Sequence, residues 1–203
     1  MNSQKKLLTI SFLAVILTFI SCSPIVRLIY GVKKPKVENE ESLRKYLEKV
    51  NITDKDVYTL DFEGYKKALE LINKKIPEVL IFDKNGKHIP YGDEWACNAS
   101  AFDFIENLND TTVYTNSEKA NLNNLPFGLY SLKGDSLGSP NLDVSFHIFI
   151  FWAKFAGKLN KNHVKVWDNQ ATNNTKTSIR IYKINMDFQE HWGEEVTRQL
   201  ESK

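Results

Sequence analysis

The sequence predicts an α/β domain built on a mixed sheet of about five strands with flanking helices. Short apolar runs alternate with segments whose apolar residues recur at three- and four-residue spacing, the periods of strands and helices respectively. An Asn85-Gly86 pair between two such runs marks a hairpin, because both residues tolerate the positive φ a tight turn demands. Two further apolar runs flank a helical segment near the end of the chain, the pattern of a β-α-β unit. With 203 residues, 42% of them hydrophobic, the chain has material for one domain with an appendage and a sizeable core.

The appendage comes first. Lys5-Lys6 precedes the apolar run Leu7 to Ile20, and Ser21-Cys22-Ser23-Pro24 follows, the order of a secretory signal peptide. Those 14 apolar-rich residues rise only about 21 Å as a helix, short of the ~30 Å hydrocarbon core. Residues 1–21 therefore read as a signal peptide and 22–41, with Gly31, Pro35 and a charged stretch, as a tether. The single domain is expected over 42–203.

Within it, Leu43, Tyr46, Leu47 and Val50 predict a helix with Ser42 available as its cap. Val57–Leu60 is a short strand candidate. Tyr65, Ala68, Leu69 and Ile72 make the next helix, which ends before Ile76-Pro77. Val79–Phe82 is a buried strand, and His88–Tyr91 returns across the hairpin as its partner, with Pro90 pointing to a sheet edge. Ala101–Leu108 is helical. Asn109–Leu142 reads as a long connection with room for a small hairpin, of a length usually functional or a linker. Val144–Ala153, the most apolar stretch after the leader, predicts a central strand covered on both faces. A helix over Leu159–Ala171 should place Leu159, His163, Val166 and Trp167 on one face, and Ile179–Asn185 should lie parallel to the central strand. Phe188–Leu200 closes the chain as a helix.

Charge narrows the function. The 27 Lys and Arg against 25 Asp and Glu give +2 overall, and the densest basic run is Lys33-Lys34-Pro35-Lys36, so nucleic acid is not an expected partner. Cleavage before Cys22 would remove Lys5 and Lys6 and no acid, leaving a body with 25 charges of each sign.

Phe19-Ile20-Ser21-Cys22 resembles a bacterial lipoprotein lipobox, with Phe19 where Leu is usual. The resemblance implies lipidation at Cys22 and a body facing the periplasm of the bacterial cell envelope, anchored in the membrane by its N-terminal lipid. An uncleaved signal anchor is the alternative and also puts the body outside the cytoplasm. Cys97 is then the one free thiol in a compartment where disulfides form, with no intramolecular partner.

Phe151-Trp152-Ala153-Lys154-Phe155-Ala156-Gly157-Lys158-Leu159 resembles the thioredoxin active-site run Phe-Trp-Ala-x-Trp-Cys-Gly-Pro-Cys without gaps. Ile184-Asn185-Met186-Asp187 is similar to the family's Val-Asn-x-Asp, and Ile76-Pro77 with the following strand and hairpin is similar to its cis-proline segment. The resemblance covers about two thirds of the mature chain and implies a thioredoxin-like sheet. Its halves come in reversed order, as if the domain were circularly permuted, an arrangement tolerated where termini lie close together.

The chemistry of that family needs two thiols at a helix start. Ala156 and Leu159 occupy those places, and Ile150 stands where the family's buried Asp would be. The resemblance thus implies a fold without its redox reaction, binding a protein or peptide partner in a groove formed by Trp152, Phe155, Ala156, Gly157, Leu159 and Pro77. The alternative is a thiol-disulfide oxidoreductase acting through Cys97, which lies outside the matching motif and could equally be a packing residue. A purely structural envelope protein is the third reading. His88, His147, His163 and His191 show no ligand spacing, so no metal or other cofactor is expected. No Ser-His-Asp set or phosphate loop stands out.

Overall fold

A computed structural model describes residues 28–93, 97–138 and 143–194. The expected signal peptide, Cys22, Trp95 and residues 195–200 of the expected C-terminal helix lie outside the described residues. Among the described residues the main elements follow in the order β1 Val37–Glu38, α1 Glu40–Val50, β2 Val57–Tyr58, α2 Phe62–Leu71, β3 Glu78–Asp83, β4 Lys87–Ile89, α3 Ala101–Glu106, β5 Ser117–Asn121, β6 Phe146–Trp152, α4 Lys165–Asn173, β7 Ile179–Asn185 and β8 Phe188–Gln189.

The main sheet has the order β2-β7-β6-β3-β4-β5. β2, β7 and β6 are parallel, β3 runs antiparallel to β6, and β4 and β5 continue antiparallel. β1 and β8 form a separate parallel pair. This is an α/β fold with a six-stranded mixed sheet and flanking helices, consistent with the thioredoxin-like class, and Ile76-Pro77 is a cis peptide.

β6 sits at the centre and all seven of its residues are buried. Its alternation divides the core. Ile148, Ile150 and Trp152 pack with Leu43 and Leu47 of α1, Ile105 of α3 and Trp167 of α4. Phe149 and Phe151 face the other way, toward Ala68 of α2, Leu80, Tyr182 and Leu129. Each such fully buried large apolar side chain contributes about 1.5–3 kcal/mol relative to exposure. Across the first face, Lys183 of β7 and Asp168 of α4 form a buried ion pair at 3.1 Å.

The structure departs from the sequence expectations at several places. Helix α1 is capped by Asn39, not Ser42: the Asn39 side chain accepts the Ser42 N–H at 3.0 Å and Ser42 Oγ accepts the Asn39 N–H at 3.1 Å, a reciprocal capping box. Ordered structure therefore starts ahead of Ser42, with β1 inside the stretch expected to be tether. The sheet has six strands, in keeping with the expected mixed sheet of about five; β5 forms within the Asn109–Leu142 connection and covers β4, so Pro90 does not mark an edge. That connection is also tied to β2's end, where Thr59 and Tyr130 exchange backbone hydrogen bonds of 2.9 and 3.0 Å.

The segment before α4 contains a π-turn over Asn160–Val164, which adds a residue and rotates the buried face. Asn160, Val164, Trp167, Asp168 and Ala171 point inward, while His163 and Val166 are only half-buried. Finally, the segment expected to open an α-helix at Phe188 begins instead as strand β8 and continues as a single 3₁₀ turn over Glu190–Trp192. β8 pairs with β1, the Gln189 amide donates to Asn185 Oδ1 and to the Asp187 carbonyl, each at 2.7 Å, and Trp192 Nε1 donates to the Leu60 carbonyl at 2.8 Å. These tertiary partners outweigh the helical spacing of the segment.

Candidate functional site

The chain leaves β6 and β7 at the same end of the sheet, and the turn Ala153–Leu159 forms there. Two polar anchors build it. Asp187, just past β7 and 1% exposed, accepts the backbone N–H groups of Lys154 at 2.6 Å and Phe155 at 3.4 Å, and the Asn185 amide at 2.9 Å. Asn160 donates to the Ala153 carbonyl at 2.7 Å and to Tyr46 Oη at 2.8 Å, and Tyr46 in turn donates to the Gly157 carbonyl at 3.2 Å. Burial pushes the Asp187 carboxyl up to about 6 even though the N–H groups around it pull the other way; nearby Glu38 reinforces the rise.

The chain's own N-terminal segment crosses this turn. Lys33 N–H donates to the Phe155 carbonyl at 2.8 Å. Gly157 has φ +60, and a Cβ there would press on the backbone oxygens of Tyr30 and Gly31, the latter at 2.5 Å. Only glycine allows both the backbone angle and that approach.

The six residues of the expected groove come to one end of the sheet, since Pro77 immediately precedes Glu78, which pairs with Phe151. Their exposure differs. Trp152 is fully buried and stacks on Tyr46 with ring centroids 6.1 Å apart. Ala156 and Pro77 are buried, and Phe155, Gly157 and Leu159 are half-buried. Cys97 is exposed and lies outside the turn, although its neighbour Asn98 donates to the Pro77 carbonyl at 2.8 Å.

Beside the turn opens a cavity of about 430 Å³ whose walls include Lys33, Lys34, Lys36, Lys45, Lys49 and Lys154. Phe155, Gly157, Tyr46 and Asp187 also line it, with Glu38 and Ser42. This basic rim was not anticipated as a site. Its traces in the sequence are the Lys33-Lys34-Pro35-Lys36 run and the Lys45/Lys49 pair one helical turn apart; what joins them is the fold.

The histidines are dispersed. His88, 4% exposed, shares a 2.6 Å hydrogen bond with Ser117 on β5, and burial with help from Lys119 lowers it to about 4. His147 is lowered to about 4 by burial, reinforced by Arg180. His163 packs on Phe102 and Trp167, and His191 contacts the Leu60 carbonyl. Among the described residues no three His, Cys, Asp or Glu side chains are grouped to hold a metal, and no helix is long and apolar enough to cross a membrane. The Ser117–His88 pair has no carboxylate bonded to the imidazole among the described residues, so it lacks the third member that orients a hydrolytic base.

Compared with known proteins, the chain matches no family model, no curated protein and no solved structure. Fold and site together define an α/β domain with a lysine-rimmed cavity at the carboxyl ends of two parallel strands, a place where open α/β sheets commonly hold ligands.

Proposed function

We propose that this chain is a redox-inactive, thioredoxin-like binding domain of the bacterial cell envelope, anchored through a lipid on Cys22, that docks a protein or peptide partner at the Ala153–Leu159 turn. The observation that carries this reading is a scaffolded turn without reactive groups. Asp187, Asn160 and Tyr46 fix its backbone, yet the two positions facing the chemistry in the resembling family are a methyl and an isobutyl group, Ala156 and Leu159. Neither can attack a disulfide.

Turnover of a protein disulfide by the full chain, with Cys97→Ser as control, tests the reading. The expected result is no turnover by either protein. Turnover by the wild type that Cys97→Ser abolishes would favour the second reading, disulfide exchange through Cys97. That reading draws its support from the exposure of Cys97 and from the bond between Asn98 and the Pro77 carbonyl.

A further inference from the structure

We infer that the lysine-rimmed cavity beside the Ala153–Leu159 turn receives an extended acidic peptide segment with carboxylates at alternate positions. The inference rests on the binding role proposed above and names the chemistry of the partner. Three observations lead to it.

Charge in this region is segregated. The chain from residue 22 onward carries 25 acidic and 25 basic residues, yet six lysines and only two carboxylates line this one cavity. Both carboxylates are already engaged: Glu38 is bound by Lys154 Nζ at 2.6 Å and Ser42 Oγ at 2.6 Å, and Asp187 by the turn's N–H groups. The other five lysines have no ion pair among the described residues, while Arg44 on the same helix is paired with Glu40 and Asp54. Five lysines without an ion pair around one cavity repel one another and attract an anion.

The charges also lie along a rim instead of converging on a point. Three sit on the segment that crosses the turn and two on α1, all with exposed side chains. Lys45 and Lys49 are four residues apart on α1, so their Cα atoms are separated by about 6 Å along the helix axis. Same-face side chains of an extended chain repeat at about 6.5–7 Å, close enough for alternate carboxylates to meet both ammonium groups. A single compact phosphate would meet only part of that rim.

Finally, the floor is apolar and aromatic. Phe155 and Tyr46 offer surface for the backbone and for an intervening side chain. A cavity of about 430 Å³ accommodates a few residues of such a segment.

The test is fluorescence anisotropy of the full chain in neutral detergent with two labelled hexapeptides, one alternating Glu and Ser and the other alternating Gln and Ser, plus inorganic pyrophosphate as competitor. The Glu peptide should bind at least about tenfold more tightly than the Gln peptide and lose about tenfold between roughly 0.02 and 0.15 M salt. Lys45→Gln/Lys49→Gln should weaken it at least about fivefold, whereas the equally charge-depleting Lys67→Gln/Lys84→Gln, on exposed sites elsewhere, should change it by less than about twofold. Equal binding of the two peptides, equal effects of the two double variants, or tight pyrophosphate binding without peptide binding would each overturn the inference. If a photo-reactive group at position 155 captures a partner in cells while both peptides fail to bind, the acidic-segment inference falls and the binding role stands.

Discussion

Gly157→Ala probes the contact that closes the N-terminal segment over the candidate site. Two costs combine. An alanine at φ +60, ψ −127 occupies a region that L residues seldom enter, worth about 1–3 kcal/mol. Its Cβ would also overlap the Tyr30 and Gly31 carbonyl oxygens, which are backbone and cannot rotate away. The segment must then lift, giving up the 2.8 Å bond from Lys33 N–H to the Phe155 carbonyl, a net contribution of about 0.5–1.5 kcal/mol. The expected destabilisation is about 2–4 kcal/mol in urea unfolding of the full chain, with faster hydrogen exchange at the Lys33 amide. Gly138→Ala is the control: it also has a positive φ, +75, but nothing among the described residues within 4 Å of its would-be Cβ, so it carries the backbone cost alone. If Gly157→Ala costs no more than Gly138→Ala and leaves Lys33 exchange unchanged, the close approach of the segment to the turn is refuted.

Other predictions concern the buried charges. Lys183→Met should cost about 3–5 kcal/mol in denaturant unfolding at pH 7, because Asp168 is left buried and uncompensated, and Lys183→Met/Asp168→Leu should recover most of it; a single variant as stable as wild type would remove the pair from the account. Asp187 has a folded-state pKa of about 6, above the ordinary 3.8, so the folded state holds its proton more tightly and this group adds stability as pH falls from 7 toward 4. Relative to Asp187→Asn, wild type should gain about 2 kcal/mol over that interval, a difference in which the opposing effects of His88 and His147 cancel. An unchanged difference between pH 7 and pH 4 would contradict the raised pKa.

Much of the fold was legible because its elements obey simple periods. β6, β7 and the β3–β4 hairpin announced themselves as apolar runs punctuated by Asn85-Gly86, and β6 and β7 proved parallel as a β-α-β unit requires. β5 was not legible. Ser117-Glu118-Lys119-Ala120-Asn121 is polar and largely exposed, and it is a strand only because β4 offers unpaired backbone. The π-turn hid for a similar reason: the buried Asn160 amide donates to the Ala153 carbonyl and to Tyr46 Oη, the latter more than a hundred residues away in sequence. At the site, the Asn-x-Asp segment could be read as a motif, but its work in holding the Lys154 and Phe155 amides needed three-dimensional proximity. The lysine rim needed more still, since Lys33–Lys36 and Lys45/Lys49 each look like solvated surface until the turn after β6 stands beside them.

The central claim is that the Ala153–Leu159 turn is a docking surface. Its most direct test is photo-crosslinking in living cells from the full chain, with a benzoylphenylalanine replacing the half-buried Phe155 or, as control, the exposed Lys84 at the opposite end of the sheet. The account predicts a discrete adduct from position 155 and none of that size from position 84. No adduct from position 155, or the same adduct from both positions, would contradict it.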